Sequence, residues 1–144
     1  MKVYLDNCSF NRPFDDQDQI RIRIEAEAKL FLQKLIDQGK LELAWSYILD
    51  YENMANPFDF RQLVIHKWKK KAMVNIRENV NVLKNAEQLQ SKDIRAKDAL
   101  HIACAVEAGC AYFITTDDKI LNKNRTIKRI EIVNPVDMLD ILEV

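Results

Sequence analysis

Four carboxylates stand out by where the chain places them. Asp6 directly follows the apolar run Val3-Tyr4-Leu5, and Asp117 follows Phe113-Ile114-Thr115-Thr116, so two β-prone runs each end in an acid. Glu52 shares a helical face with Ile48, Leu49 and Ala55, and Asp98 opens the apolar stretch Ala99 to Val106 on the face of Ile102 and Ala105. A carboxylate on an apolar face is costly or shifts its pKa unless something compensates it. If Asp6, Glu52, Asp98 and Asp117 converge, divalent cations relieve their repulsion, and an all-oxygen donor set selects Mg²⁺ or Mn²⁺ over zinc. Such a site suits phosphodiester hydrolysis, in which the metal acidifies a water and stabilises charge on the phosphoryl oxygens.

Each acid also has a plainer use. Asp98 suits the dipole of a helix N-terminus, Asp117 suits an N-cap, and Glu52 could pair with Lys97 while Asp50 competes from another face. His101 reads as a satisfied core or supporting residue rather than a ligand. Cys8, Cys104 and Cys110 lack the paired spacing of a zinc site and read as thiols of a reducing compartment. An alternative chemistry makes Asp6 the nucleophile of a phosphatase-like hydrolase, but Cys8 stands where a second acid would be wanted.

The elements that must position these acids follow from periodicity. Residues 2 to 5 read as a strand, and 7 to 16 as a turn-like stretch around Pro13. From Asp18 to Gln38, Ile20, Ile24, Ala28, Phe31 and Leu35 recur at helical spacing, supported by the Arg21/Glu25 and Arg23/Glu27 pairs, until Gly39 stops the helix. That stripe leaves Ile22 free to face a partner chain. Residues 41 to 45 read as a strand, Ser46 as the N-cap of the helix carrying Glu52, 58 to 76 as a helical stretch, 79 to 83 as an edge strand, and 86 to 89 as a single helical turn. A buried helix from Asp98 to Val106 stops at Gly109, strands follow at 111 to 115 and 129 to 133, and Pro135 opens a last helix. Alternating strands and helices imply a mostly parallel α/β sheet with helices on both faces, whose sites form at the carboxyl ends of the strands.

The 144 residues suit one domain, 1 to 144. Lys plus Arg and Asp plus Glu each number 22, so no global field draws in an anionic partner, and nucleic-acid contacts must come from local basic patches. The candidates are Lys67, Lys69, Lys70 and Lys71 on one helical face and Lys119, Lys123 and Arg125 after the last acid. No apolar run approaches the roughly 20 residues of a bilayer span, and Asp6 comes too early for a signal peptide. The expected compartment is the cytoplasm, with no membrane partner.

Across essentially the whole chain the sequence resembles a PIN domain, the nuclease family that includes the toxins of VapBC-type toxin–antitoxin pairs. The resemblance is carried by Val3-Tyr4-Leu5-Asp6-Asn7, Trp45-Ser46 through Glu52, Lys97-Asp98-Ala99-Leu100-His101-Ile102-Ala103, and Phe113-Ile114-Thr115-Thr116-Asp117. It implies a three-layer fold with a central sheet of four or five strands in order 3-2-1-4-5. It further implies that Asp6, Glu52, Asp98 and Asp117 bind Mg²⁺ or Mn²⁺ and support cleavage of single-stranded RNA, with Thr116 accompanying the last acid. Asn7 departs from the small hydroxyl residue often found after the first acid, and Asp117 is preferred to Asp118 by alignment of Thr-Thr-Asp. A homodimer and an antitoxin partner are implied in the same way. The competing expectation, motivated by zero net charge and Asn7, is a catalytically silent PIN-like module that acts through protein or RNA binding.

Overall fold

Val3, Tyr4 and Leu5 have no exposed surface. Successive side chains of a strand point to opposite faces, so this strand must be covered on both. In the computed structural model, which describes all 144 residues, it is β1 (Lys2–Leu5), accompanied by β2 (Glu42–Ser46), β3 (Val74–Ile76), β4 (Tyr112–Ile114) and β5 (Glu131–Val133). They form one sheet in the order β3-β2-β1-β4-β5 with every pairing parallel, Tyr4 lying between Ala44 and Phe113. The expected α/β architecture and strand order are therefore present. All carboxyl ends lie along one edge, and the chain reverses its direction of travel across the sheet beside β1, which is where a site is expected.

Helices make the connections. α1 (Asn7–Asn11), a 3-10 turn at Arg12–Phe14 and α2 (Ile20–Asp37) join β1 to β2, and α3 (Tyr47–Met54) and α4 (Asp59–Lys69) join β2 to β3. α5 (Val80–Gln90) and α6 (Ala96–Glu107) lead to β4, α7 (Asp118–Leu121) follows it, and α8 (Pro135–Ile141) closes the chain against α2. α6 contributes Ala99, Ile102, Ala103, Cys104 and Ala105 to the core, as its nearly all-round apolar sequence requires. Trp45, Tyr4, Phe10 and Phe113 are the largest side chains in that core. No helix is long and apolar enough to cross a membrane.

Three segments differ from the sequence reading. The turn-like stretch after Asp6 is helical because Asp6 itself caps it, its carboxylate accepting the Ser9 N–H. The strand expected at 79 to 83 and the single turn at 86 to 89 are one helix, α5, capped by Asn79 accepting from Val82 N. The third strand is instead Val74–Ile76, inside what reads as the end of the 58 to 76 helical stretch. On α2 the buried face carries Glu25, Lys29, Leu32, Gln33 and Ile36, while Ile20, Ile24 and Phe31 of the expected stripe are exposed. Buried polar partners turn that helix: Glu25 accepts from Asn134 and pairs with Arg12, and Lys29 lies over the Phe10 ring.

Candidate active site

The main chain of Asp6 continues the sheet for one residue, its N–H bonding to Ile114 O at 3.2 Å. The carboxylate is thus held at the β1/β4 junction. One oxygen accepts from Ser9 N at 2.9 Å and the other from the Thr115 hydroxyl at 2.5 Å. Asp6 is buried, and desolvation outweighs these hydrogen bonds and pushes its pKa up to about 6. The same Thr115 hydroxyl accepts from Asp117 N at 3.1 Å, so one side chain ties the two strand-end acids together.

Glu52 is held from below by a buried polar chain. Ser46 Oγ meets Tyr4 Oη at 2.6 Å, Tyr4 Oη meets His101 Nδ1 at 2.7 Å, and His101 Nε2 bonds Glu52 Oε1. Asn7 Nδ2 donates to the other Glu52 oxygen at 3.2 Å. Burial pushes the Glu52 carboxyl up, but the His101 bond and charge, then Lys97 and Asn7, outweigh it and leave the pKa below its ordinary value. His101 is thus buried and supporting, in keeping with its sequence reading. Asn7 orients Glu52 from the position after the first acid.

Asp98 and Asp117 face each other across Arg95. Arg95 Nη2 lies 2.8 Å from Asp98 Oδ2 and 2.9 Å from Asp117 Oδ2, and the other Asp117 oxygen caps α7 by accepting Lys119 N at 2.9 Å. Asp98 sits in the first turn of α6. The helix-terminus roles weighed for these two acids are therefore both present. Asp118, the rival to Asp117, turns away to a bidentate pair with Arg21 at 2.6 and 2.8 Å. Asp50, the rival to Glu52, is occupied by Trp45 Nε1 and Lys69.

The acids are linked in pairs along one edge, Asp6 to Asp117 through Thr115 and Asp98 to Asp117 through Arg95. Desolvation, then the charges of Asp6, Asp117, Glu52 and Asp98, raise the pKa of the Cys8 thiol. Cys8 is exposed at this edge. Glu52, Asp98 and Asp117 line a pocket of about 380 Å³ there, together with Arg95 and Lys97. As the side chains lie, no three Asp, Glu, His or Cys residues form a group able to hold one metal ion. The positive charge between Asp98 and Asp117 is the guanidinium of Arg95.

The basic candidates fall in different places. Lys119 and Lys123 line a groove that also contains Asp98 and Arg95, and Arg125 is exposed in the following turn. Lys69 pairs with Asp50 in the first turn of α3, Lys71 pairs with Asp37 at the end of α2, and Lys67 and Lys70 are exposed. Thr116 is buried in the wall of the groove beside Asp117, but the hydroxyl that contacts the acids is Thr115. Sequence reasoning did not single out Thr115, Tyr4 or Arg95. Thr115 precedes the acid by two, and the alternation of a strand end is the signal that points its side chain to the Asp6 side.

The fold and its edge define a class: an all-parallel α/β domain with an acidic pocket at the reversal of strand order. It is similar to a chain in the crystal structure of VapBC2 from Rickettsia felis bound to a DNA fragment from their promoter, with a TM-score of 0.59 and 12% identity. The likeness covers 93% of this chain and 98% of that one, and at this identity it shows the fold. No family model and no curated protein matches the sequence.

Proposed function

We propose that the protein is a Mg²⁺- or Mn²⁺-dependent endoribonuclease that cleaves single-stranded RNA. The observation that carries this reading is that Glu52, Asp98 and Asp117 line one pocket at the carboxyl edge and that Thr115 ties Asp6 to Asp117, with Lys97, Lys119 and Lys123 nearby to hold phosphate. The donor chemistry fits a hard divalent ion, because every candidate ligand is a carboxylate and burial makes ionised Asp6 costly without a cation. Asp6, Glu52, Asp98 and Asp117 would hold it, with Arg95 giving up its place between two of them. Such an ion supplies Lewis acidity toward a phosphodiester.

The chain's own residues divide the remaining work. Ser9 and Thr115 fix the Asp6 carboxylate, and His101 and Asn7 fix that of Glu52. Glu52, kept ionised by the His101 and Asn7 bonds, would bind the ion or orient the attacking water. Lys119 and Lys123 stand where flanking phosphates would pass. Asp6→Asn and Asp98→Asn are expected to abolish Mn²⁺-dependent cleavage of single-stranded RNA with circular dichroism unchanged. Undiminished cleavage in either purified variant overturns the assignment.

A second reading is a catalytically silent binding module, favoured by the Arg95 bridge that already neutralises Asp98 and Asp117. Calorimetry separates the two: saturable Mn²⁺ binding lost in Asp98→Asn supports the enzyme, and no binding at millimolar Mn²⁺ supports the module. In either case the resemblance to VapBC-type toxins and the fold likeness to a VapBC2 chain support a small DNA-binding antitoxin as partner, and the resemblance alone suggests a homodimer.

A further inference from the structure

The acidic pocket is the middle of a longer track. It shares Cys8, Glu52 and Asp117 with a groove of about 440 Å³ on one side, and Arg95 and Asp98 with a groove of about 430 Å³ on the other. The two arms differ chemically. The second presents Lys119 and Lys123, strongly hydrated point charges on flexible stems. The first presents the amides of Asn11 and Asn56, the guanidinium groups of Arg12 and Arg61, and the ring of Phe58.

That first arm is built around a plate. The Arg61 guanidinium lies 4.4 Å from the centroid of the Phe58 ring, and it is braced from behind by donating to Phe14 O at 2.6 Å and pairing with Asp15 at 3.4 Å. Phe58 is 55% exposed, so the core does not account for its ring. The amides connect the plate to the acids. Asn56 accepts from Phe58 N at 3.1 Å and donates to Asn11 Oδ1 at 3.2 Å, Asn11 donates to the Asn7 carbonyl at 2.9 Å, and Asn7 donates to Glu52. Each of Asn11 and Asn56 retains unused hydrogen-bonding capacity. An exposed ring reinforced by guanidinium, with amides at its edge, is what a single-stranded base needs: a stacking face and donors and acceptors for its polar edge.

We infer that this arm holds the base of a nucleotide flanking the scissile phosphate, stacked on Phe58 and Arg61 and read by Asn11 and Asn56, while Lys119 and Lys123 hold backbone on the other arm. The inference rests on the reading of the acidic pocket as a ribonuclease site. It assigns sequence preference to Asn11 at the end of α1 and Asn56 in the α3–α4 connection, and sequence-independent affinity to α7 and the turn after it.

The test uses full-length protein silenced by Asp98→Asn and a single-stranded RNA oligonucleotide carrying 2-aminopurine. Adding Phe58→Ala is expected to weaken binding about tenfold, as loss of one stacked base does, and to abolish the quenching of 2-aminopurine at one position while leaving the salt dependence unchanged. Phe58→Trp should retain both. Lys119→Gln and Lys123→Gln should instead lower the slope of log K against log salt by about 0.7 each. Unchanged binding and quenching in Phe58→Ala, with Mn²⁺-dependent cleavage present in the parent enzyme, overturns the base subsite and leaves the nuclease reading standing. A parent that neither binds nor cleaves single-stranded RNA overturns both.

Discussion

Arg95 and Lys29 are two cations under opposite constraints. The Arg95 side chain is largely exposed and held only by Asp98 and Asp117, so removing it costs the fold little. It does, however, leave two carboxylates facing each other with no cation between them. Arg95→Ala is therefore expected to tighten Mn²⁺ binding severalfold, read as calorimetric affinity, and weaker binding would show that the guanidinium assists the ion. Lys29 is buried over Phe10, and desolvation pushes its pKa down to about 7. The unfolded chain keeps this proton up to the ordinary lysine range, so between pH 7 and about 10.4 the unfolded state holds more protons and folding stability rises with pH. Lys29→Met is expected to stabilise the protein by a few kcal/mol at pH 6, with the gain shrinking as pH rises toward 10 in denaturant titrations. A gain that does not depend on pH would mean that Lys29 titrates alike in the folded and unfolded chains, so that burial does not lower its pKa.

At the scale of elements, α2 and α6 each end on a glycine in the left-handed region, Gly39 with φ +72° and Gly109 with φ +75°. An added Cβ at Gly109 would meet nothing within 4 Å, so Gly109→Ala should cost only the backbone penalty of about 1 kcal/mol. A loss of several kcal/mol in chemical denaturation would point instead to packing at that turn. These stops were legible in the sequence because a helix terminus is a local event. So were β1, β2, β4 and β5, because buried parallel strands read as apolar runs. β3 was not legible: three residues carrying Asn75 hold no pattern, and its place is set by Ala44, Trp45 and Ser46 across the ladder. Asn79 misled in a related way, because a polar residue before Val80-Asn81-Val82 fits either an alternating strand or a capped helix. Within the site, Asp6 and Asp117 were readable from strand ends. Thr115, Tyr4 and Arg95 were not, since their roles exist only once distant segments meet.

Viewed as a whole, the molecule leaves one helical surface unmatched. Ile20, Ile24 and Phe31 lie along one side of α2 and are exposed, although their spacing is that of a core stripe. A surface of this kind is the common signature of association. The protein is expected to sediment at twice its 16.9 kDa protomer mass, and Ile24→Glu with Phe31→Glu to return it to the protomer without loss of secondary structure. A wild-type protomer at tens of micromolar would remove this face from consideration. The strand order tells a different story, because a sheet with every carboxyl end on one edge exposes its chemistry to the loops alone. A last consequence comes from Asp6 and Asp117 serving also as helix caps. Serine or asparagine at either place can keep the helix start while losing the negative charge, so mutational drift has a nearly cost-free path to an inert but well-folded descendant, whereas alanine loses both at once. Laboratory knockouts by alanine would therefore confuse damage to the scaffold with damage to the chemistry.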